Sequence, residues 1–142
     1  MADRSLVLDA NILVRAVLGV RVRSLLERYG KAVQFVAPDV AFEEVEEYLP
    51  AILAKRGLVP ELAMATFERV SAIVQELPLP YYAGREEVAR ARIGKRDPAD
   101  WQVLAYALTR ECPICTEDQD FFGTGVPTWT TDRVEIFLDA GS

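Results

Sequence analysis

The chain has 142 residues and a net charge of −6, with 51% of its residues apolar and 27% charged, as expected of a single globular domain able to bury a core. No apolar run approaches the ~20 residues that span a bilayer, and no signal-peptide layout is present; the expectation is a cytoplasmic protein with no membrane partner. Histidine is absent, which excludes Ser-His-Asp and Cys-His nucleophiles and histidine acid–base pairs, so hydrolytic chemistry here must rest on carboxylates, lysine, tyrosine or metal-activated water.

Ser5–Asp9 reads as a buried strand, apolar without alternation as in parallel sheets. Asp9 or Asn11 can cap a helix running to about Leu18, which Gly19 ends. A second helix is predicted over Val22–Tyr29, with Gly30 as its stop, and a second strand over Ala32–Ala37, with Pro38 as helix starter. The next helix places Val40, Ala41, Val45, Tyr48, Leu49 and Ile52 on its buried stripe, and Pro50 should kink or restart it. Gly57 ends it. Pro60 opens a helix to about Glu76 that buries Leu62, Phe67, Val70 and Val74, followed by an extended connector or short edge strand, Leu77–Pro80.

Arg85–Ile93 is a basic helix closed by Gly94. In the stretch 85–96 Arg85, Arg90, Arg92, Lys95 and Arg96 stand against only Glu86 and Glu87. Net acidity argues against a simple nucleic-acid coat protein, yet this local excess makes Arg90, Arg92, Lys95 and Arg96 candidates for holding RNA phosphates; a solvated helix face is the plainer account. Asp97 is a natural N-cap with Pro98 first and Asp100 third in a helix whose core stripe is Trp101, Leu104, Ala105 and Leu108. Cys112 and Cys115 form one C-x-x-C, too few ligands for zinc without histidine, and read as small apolar fillers. A strand over Pro113–Thr116, an acidic turn, a glycine-rich loop and a strand near Thr128–Thr130 follow. Asp132 with Glu135 resembles a capping box for a last helix, Arg133–Asp139. Strands alternating with helices indicate one α/β domain, residues 1–142, with a mainly parallel sheet.

Four acidic clusters fall just after strands or in opening helical turns: Asp9, Glu43/Glu44, Asp97/Asp100 and Asp118/Asp120. Each acid alone has an ordinary explanation as a cap, a solvated face or a turn residue; the functional case is their joint placement. Open parallel sheets gather function at the carboxyl ends of their strands. Two like charges about 4 Å apart repel by roughly 4 kcal/mol at an effective dielectric near 20, so converging carboxylates call for a cation. An all-oxygen set suits Mg²⁺ or Mn²⁺, which can activate water and stabilise charge on a phosphoryl oxygen.

The blocks LVLDANILVRAVLG, APDVAFEEVEEYL, DPADWQVLAYAL and PICTEDQDFFGTGVPTWTT, in that order, resemble the successive blocks of PIN-domain proteins, including the metal-dependent VapC-type ribonucleases of bacterial toxin–antitoxin pairs. The resemblance implies an α/β/α sandwich around a central, mainly parallel β-sheet. It carries the family's acids onto Asp9, Glu44, Asp100 and Asp118 as catalytic and metal-ligating residues for Mg²⁺ or Mn²⁺. Glu43, Asp97 and Asp120 are adjacent alternatives, and Asn11 and Thr116 would steady the ligands. The function implied is an endoribonuclease, the toxin of a pair, with an RNA substrate and a small antitoxin partner. Relatives commonly form homodimers, although no stripe for this is identifiable here. A PIN-fold module that binds partners without cutting is the alternative. A phosphoacceptor site using Asp9 is a third reading, disfavoured by the acids after the Pro113–Thr116 strand.

Overall fold

Leu6, Val7 and Leu8 are apolar at consecutive positions because their strand is covered on both faces and paired along both edges. The computed structural model describes residues 4–94 and 100–140. Their order is β1 (Arg4–Leu8), α1 (Ala10–Leu18), α2 (Arg21–Tyr29), β2 (Val33–Pro38), α3 (Asp39–Arg56), α4 (Pro60–Ile73), β3 (Gln75–Leu77), α5 (Glu86–Ile93), α6 (Trp101–Arg110), β4 (Ile114–Cys115), β5 (Thr128–Trp129) and α7 (Val134–Asp139). Two short 3₁₀ turns, Leu79–Tyr81 and Ala83–Arg85, link β3 to α5.

The strands form one parallel sheet in the order β3-β2-β1-β4-β5. β1 is central: Val7 lies opposite Val36 of β2 on one edge and Ile114 of β4 on the other. Alternation sends Leu6, Leu8, Val33, Phe35, Ala37 and Cys115 into a core shared with α1, α2, α3, α4 and α7. Val7, Val36, Leu77 and Ile114 face a second core built with α5 and α6. The result is an α/β/α sandwich, as expected. Among the described residues no helix is long and apolar enough to cross a membrane.

The chain adds β2 and β3 on one side of β1, then returns to lay β4 and β5 on the other. This reversal opens a crevice at the carboxyl ends of β1 and β4, where ligands bind in open parallel sheets. Asp9 follows β1 directly and Thr116 follows β4 directly.

Several expectations are corrected. α3 runs unbroken from Asp39 to Arg56 with Pro50 inside it. Pro50 is solvent-exposed, and Leu49 and Leu53 beside it are fully buried, so tertiary packing holds the turn that lacks one backbone bond. Pro38 ends β2, opposite Leu77, and is at the same time the N-cap of α3, one position ahead of the first helical residue. The buried stripe of α3 is Ala41, Phe42, Val45, Leu49 and Leu53; Tyr48 is 56% exposed because it sits a quarter turn from Leu49. Leu62 is also exposed, and α4 stops at Ile73 because Gln75–Leu77 pairs with β2 as the edge strand.

The capping box does not form. Thr130 donates its hydroxyl to Asp132, Glu135 pairs with Arg21 at 3.3 Å, and α7 begins at Val134 without a side-chain cap bond. Asp97, Pro98, Lys95 and Arg96 lie outside the described residues. Of that predicted helix start, the described part shows Asp100 immediately before α6.

Candidate functional site

Asp9 is a charged group at the end of the most buried strand. It caps α1, accepting the Ile12 amide at 3.0 Å, and also accepts the Thr116 hydroxyl. Only 5% of its surface is exposed. Burial pushes its carboxyl up to about 6; the two hydrogen bonds pull the other way, while the negative charges of Asp118 and Glu44 push it further up. Asp9 therefore feels both other acids, although they lie 109 and 35 residues away in sequence.

Thr116, fully buried, relays between segments. Its hydroxyl donates to Asp9 and accepts the Asp118 amide at 2.9 Å, and the Asp118 carboxylate accepts the Asp120 amide at 2.9 Å. This chain of bonds fixes the turn after β4 against the end of β1. Glu117, between Thr116 and Asp118, accepts the Thr131 amide at 2.7 Å and its hydroxyl at 2.6 Å, tying the turn to the segment after β5.

A cavity of about 350 Å³ opens at this point, lined by Asp9, Ala10, Asn11, Arg15, Glu44, Asp100, Glu117 and Asp118. Four segments contribute: the end of β1 with α1, the second turn of α3, the start of α6 and the turn after β4. Of the sequence-derived acids, Asp9, Glu44, Asp100 and Asp118 come together here. Glu43 is not in the lining; it is exposed, and its charge falls instead on Glu76 and Tyr82. Asp120 contributes its amide to Asp118 and does not line the cavity. Asn11 lies on the rim, its carbonyl oxygen accepting Arg15 Nε at 3.1 Å.

Sequence reasoning missed two lining residues, Glu117 and Arg15. The signals were available. Glu117 stands between two residues already singled out, and Arg15 lies four positions from Asn11, on the same helical face.

Among the described residues, no group of three or more acidic, histidine or cysteine side chains is set to hold a metal ion. The donor set fits a hard cation in kind. The lining is carboxylate and amide oxygen, and Asp9 is a desolvated carboxyl whose charged form is opposed by two neighbouring acids.

The other sequence candidates lie elsewhere. Arg90 bonds Glu86 at 2.8 Å and lies over the Trp101 ring at 4.9 Å. Arg92 donates to the Thr124 carbonyl at 3.0 Å. Cys112 and Cys115 are buried free thiols. Burial raises both, Cys112 to about 11, so neither is a nucleophile near neutral pH.

The sequence matches the PIN domain over residues 7–139, a span that includes every lining residue. No curated protein matches it. Among solved structures, the chain is similar to VapBC2 from Rickettsia felis bound to a DNA fragment from its promoter. The TM-score is 0.65 at 13% identity over 89% of this chain and 98% of that one. It is also similar to FitAcB from Neisseria gonorrhoeae, with a TM-score of 0.58 at 19% identity over 89% of this chain and 97% of that one. A structure of FitAB bound to an IR36 DNA fragment gives 0.53 at 18% identity, over 89% and 94%. At these identities the likeness is one of fold.

Proposed function

The chain belongs to the PIN domain family, and on that premise we propose that it is an endoribonuclease dependent on Mg²⁺ or Mn²⁺, acting as the toxin of a toxin–antitoxin pair. The observation that carries this reading is the cavity at the β1–β4 crevice, to which four distant segments each bring a carboxylate. Asp9, Glu44, Asp100 and Asp118 would hold the cation. When bound, a hard divalent cation supplies Lewis acidity to a phosphoryl oxygen and acidifies water.

The protein's own groups do the rest. Thr116 and the Ile12 amide each fix one oxygen of the Asp9 carboxylate, which also lines the cavity. Burial strengthens the attraction of Asp9 for any cation that enters, since water screens it poorly. With no histidine in the chain, carboxylates are the groups available to orient the attacking water and take its proton. The toxin role is supported by the block-by-block resemblance to VapC-type proteins and by the likeness of fold to VapBC2 and FitAB. An antitoxin bringing arginine or lysine to these acids would neutralise them.

The test is cleavage of a mixed pool of single-stranded and structured RNAs by the purified protein with Mn²⁺. Cleavage is expected to stop with EDTA and with Asp9→Asn. Equal, background-level decay with wild type and Asp9→Asn would sink the enzyme reading for those RNAs. A second reading, a PIN-fold module that binds without cutting, is favoured by the absence among the described residues of an acid group already set to hold an ion; that same result would favour it.

A further inference from the structure

Beside the acid-lined cavity lies a second depression of about 470 Å³, walled by α1, the turn into α2, the end of α3 and Thr131. The two share Asn11 and Arg15. Their charges are opposite. Among the described residues, five carboxylates and one arginine line the first, whereas Arg15, Arg21 and Arg56, with no carboxylate, line the second. On a chain of net charge −6, a groove walled, among the described residues, by arginines and neutral groups is a local inversion of the protein's field.

Two of these arginines keep their charge available. Arg15 bonds the neutral Asn11 side chain, and among the described residues neither Arg15 nor Arg56 has an ion-pair partner. Arg21 is tied to Glu135 at 3.3 Å and to the Thr131 carbonyl at 2.9 Å, which makes it part of the wall. The rest of the lining is largely aliphatic, and among the described residues it offers no aromatic ring on which a base could stack.

We infer that this groove seats the RNA strand next to the bond being cut, its backbone phosphates on Arg15 and Arg56. The inference rests on the nuclease reading of the acid cavity. A phosphodiester entering a ring of carboxylates is repelled unless its neighbouring phosphates are held, and guanidinium groups hold phosphate through paired N–H donors. Arg15 stands on the partition between the two compartments, one helical turn from Asn11. The strand thus passes from acids to arginines without leaving the surface. Without aromatic platforms the grip is on backbone rather than base, and so is tolerant of sequence. The basic stretch on α5 is less suited, because Arg90 and Arg92 are already engaged.

The experiment uses the full chain with Asp9→Asn, so that RNA is bound without being consumed. A fluorescein-labelled single-stranded RNA of mixed sequence is titrated across a salt series and read by anisotropy. Arg15→Gln and Arg56→Gln are each expected to weaken binding by about three- to tenfold and to flatten the log K against log salt slope by about 0.7. Arg90→Gln is expected to change neither. In the protein that retains Asp9, Arg56→Gln is expected to raise KM with kcat held.

Unchanged affinity and slope in both groove variants would overturn the inference, and continued cleavage by the protein that retains Asp9 would show that the nuclease reading survives it. Loss of RNA binding in the groove variants of a protein that cuts no RNA would have the opposite meaning: the groove stands and the nuclease reading falls. Binding of polyglutamate in place of RNA would make the groove a protein-docking surface and would also overturn the inference.

Discussion

Asp9 holds two roles that pull against each other. As the cap of α1 it accepts an amide, and as a buried carboxylate it carries a charge opposed by Asp118 and Glu44. Its folded value of about 6 lies above the ordinary 3.8, so the folded protein holds the proton more tightly than the unfolded chain does. Without a cation this is a destabilising term: absent below the unfolded value, growing as pH rises through the folded one, and worth about 3 kcal/mol at neutral pH. Asparagine caps a helix as well as aspartate; its oxygen can take the Ile12 amide while its NH₂ donates to the Thr116 hydroxyl, reversing that bond, and it carries no charge. Asp9→Asn is therefore expected to lose RNA cleavage while resisting urea better than wild type at pH 7.5 in EDTA, with the difference shrinking near pH 4. Equal stability at pH 7.5 would contradict the burial cost. Thr116 is the complementary case. Thr116→Val keeps the buried volume but removes the hydroxyl between Asp9 and Asp118, and a loss of ten- to a hundredfold in activity or metal affinity is expected. Thr116→Ser, which restores the hydroxyl, should recover most of it.

At the scale of elements, α3 gives the clearest separation between what local sequence decides and what packing decides. Pro50 predicts a break on local grounds, and the helix continues because Val45, Leu49 and Leu53 bury their stripe against α1 and α4. The missing backbone bond still has its cost. Pro50→Ala is expected to stabilise the protein by about 1–3 kcal/mol in urea denaturation, and no gain would mean that the helix has relaxed fully around the ring. The same helix shows why stripes were partly misread. Apolar residues occur at 40, 41, 42, 45, 48, 49, 51, 52, 53 and 54, more than one face can bury, so periodicity alone admits Tyr48 where the fold selects Phe42 and Leu53. Strand positions were legible because β1 and β2 carry short unalternating apolar runs, Leu6–Leu8 and Phe35–Pro38. The Asp132/Glu135 pair was misread because a longer-range partner, Arg21, competes for Glu135. No local pattern records such a partner. β4 and β5, two residues each, were placed by their flanking prolines and threonines with ends one or two residues off.

For the molecule as a whole, the crevice at the reversal of strand order explains why acids so distant in sequence could be grouped beforehand: each follows a strand or opens a helix, and strand ends share one rim. Arg15 and Glu117 escaped because their membership depends on which helical face turns to the rim and on the bond from Thr131, both products of packing. The same geometry predicts a competition between protons and cations. A cation that binds only the folded state stabilises it by about 2.7 kcal/mol at a hundred times its Kd, a rise of several degrees in Tm for a domain of this size. Below a pH of about 6 the Asp9 carboxyl takes up a proton and ceases to attract the cation, so the stabilisation must shrink as the solution is acidified. Thermal unfolding with and without Mn²⁺ is expected to show a clear upward shift at pH 7.5, a much smaller one at pH 5, and little at either pH for Asp9→Asn. This readout is independent of any RNA. A Mn²⁺ shift equal in wild type and Asp9→Asn, or unchanged between the two pH values, would mean that the ion sits elsewhere and that the acid-lined cavity is not a metal centre.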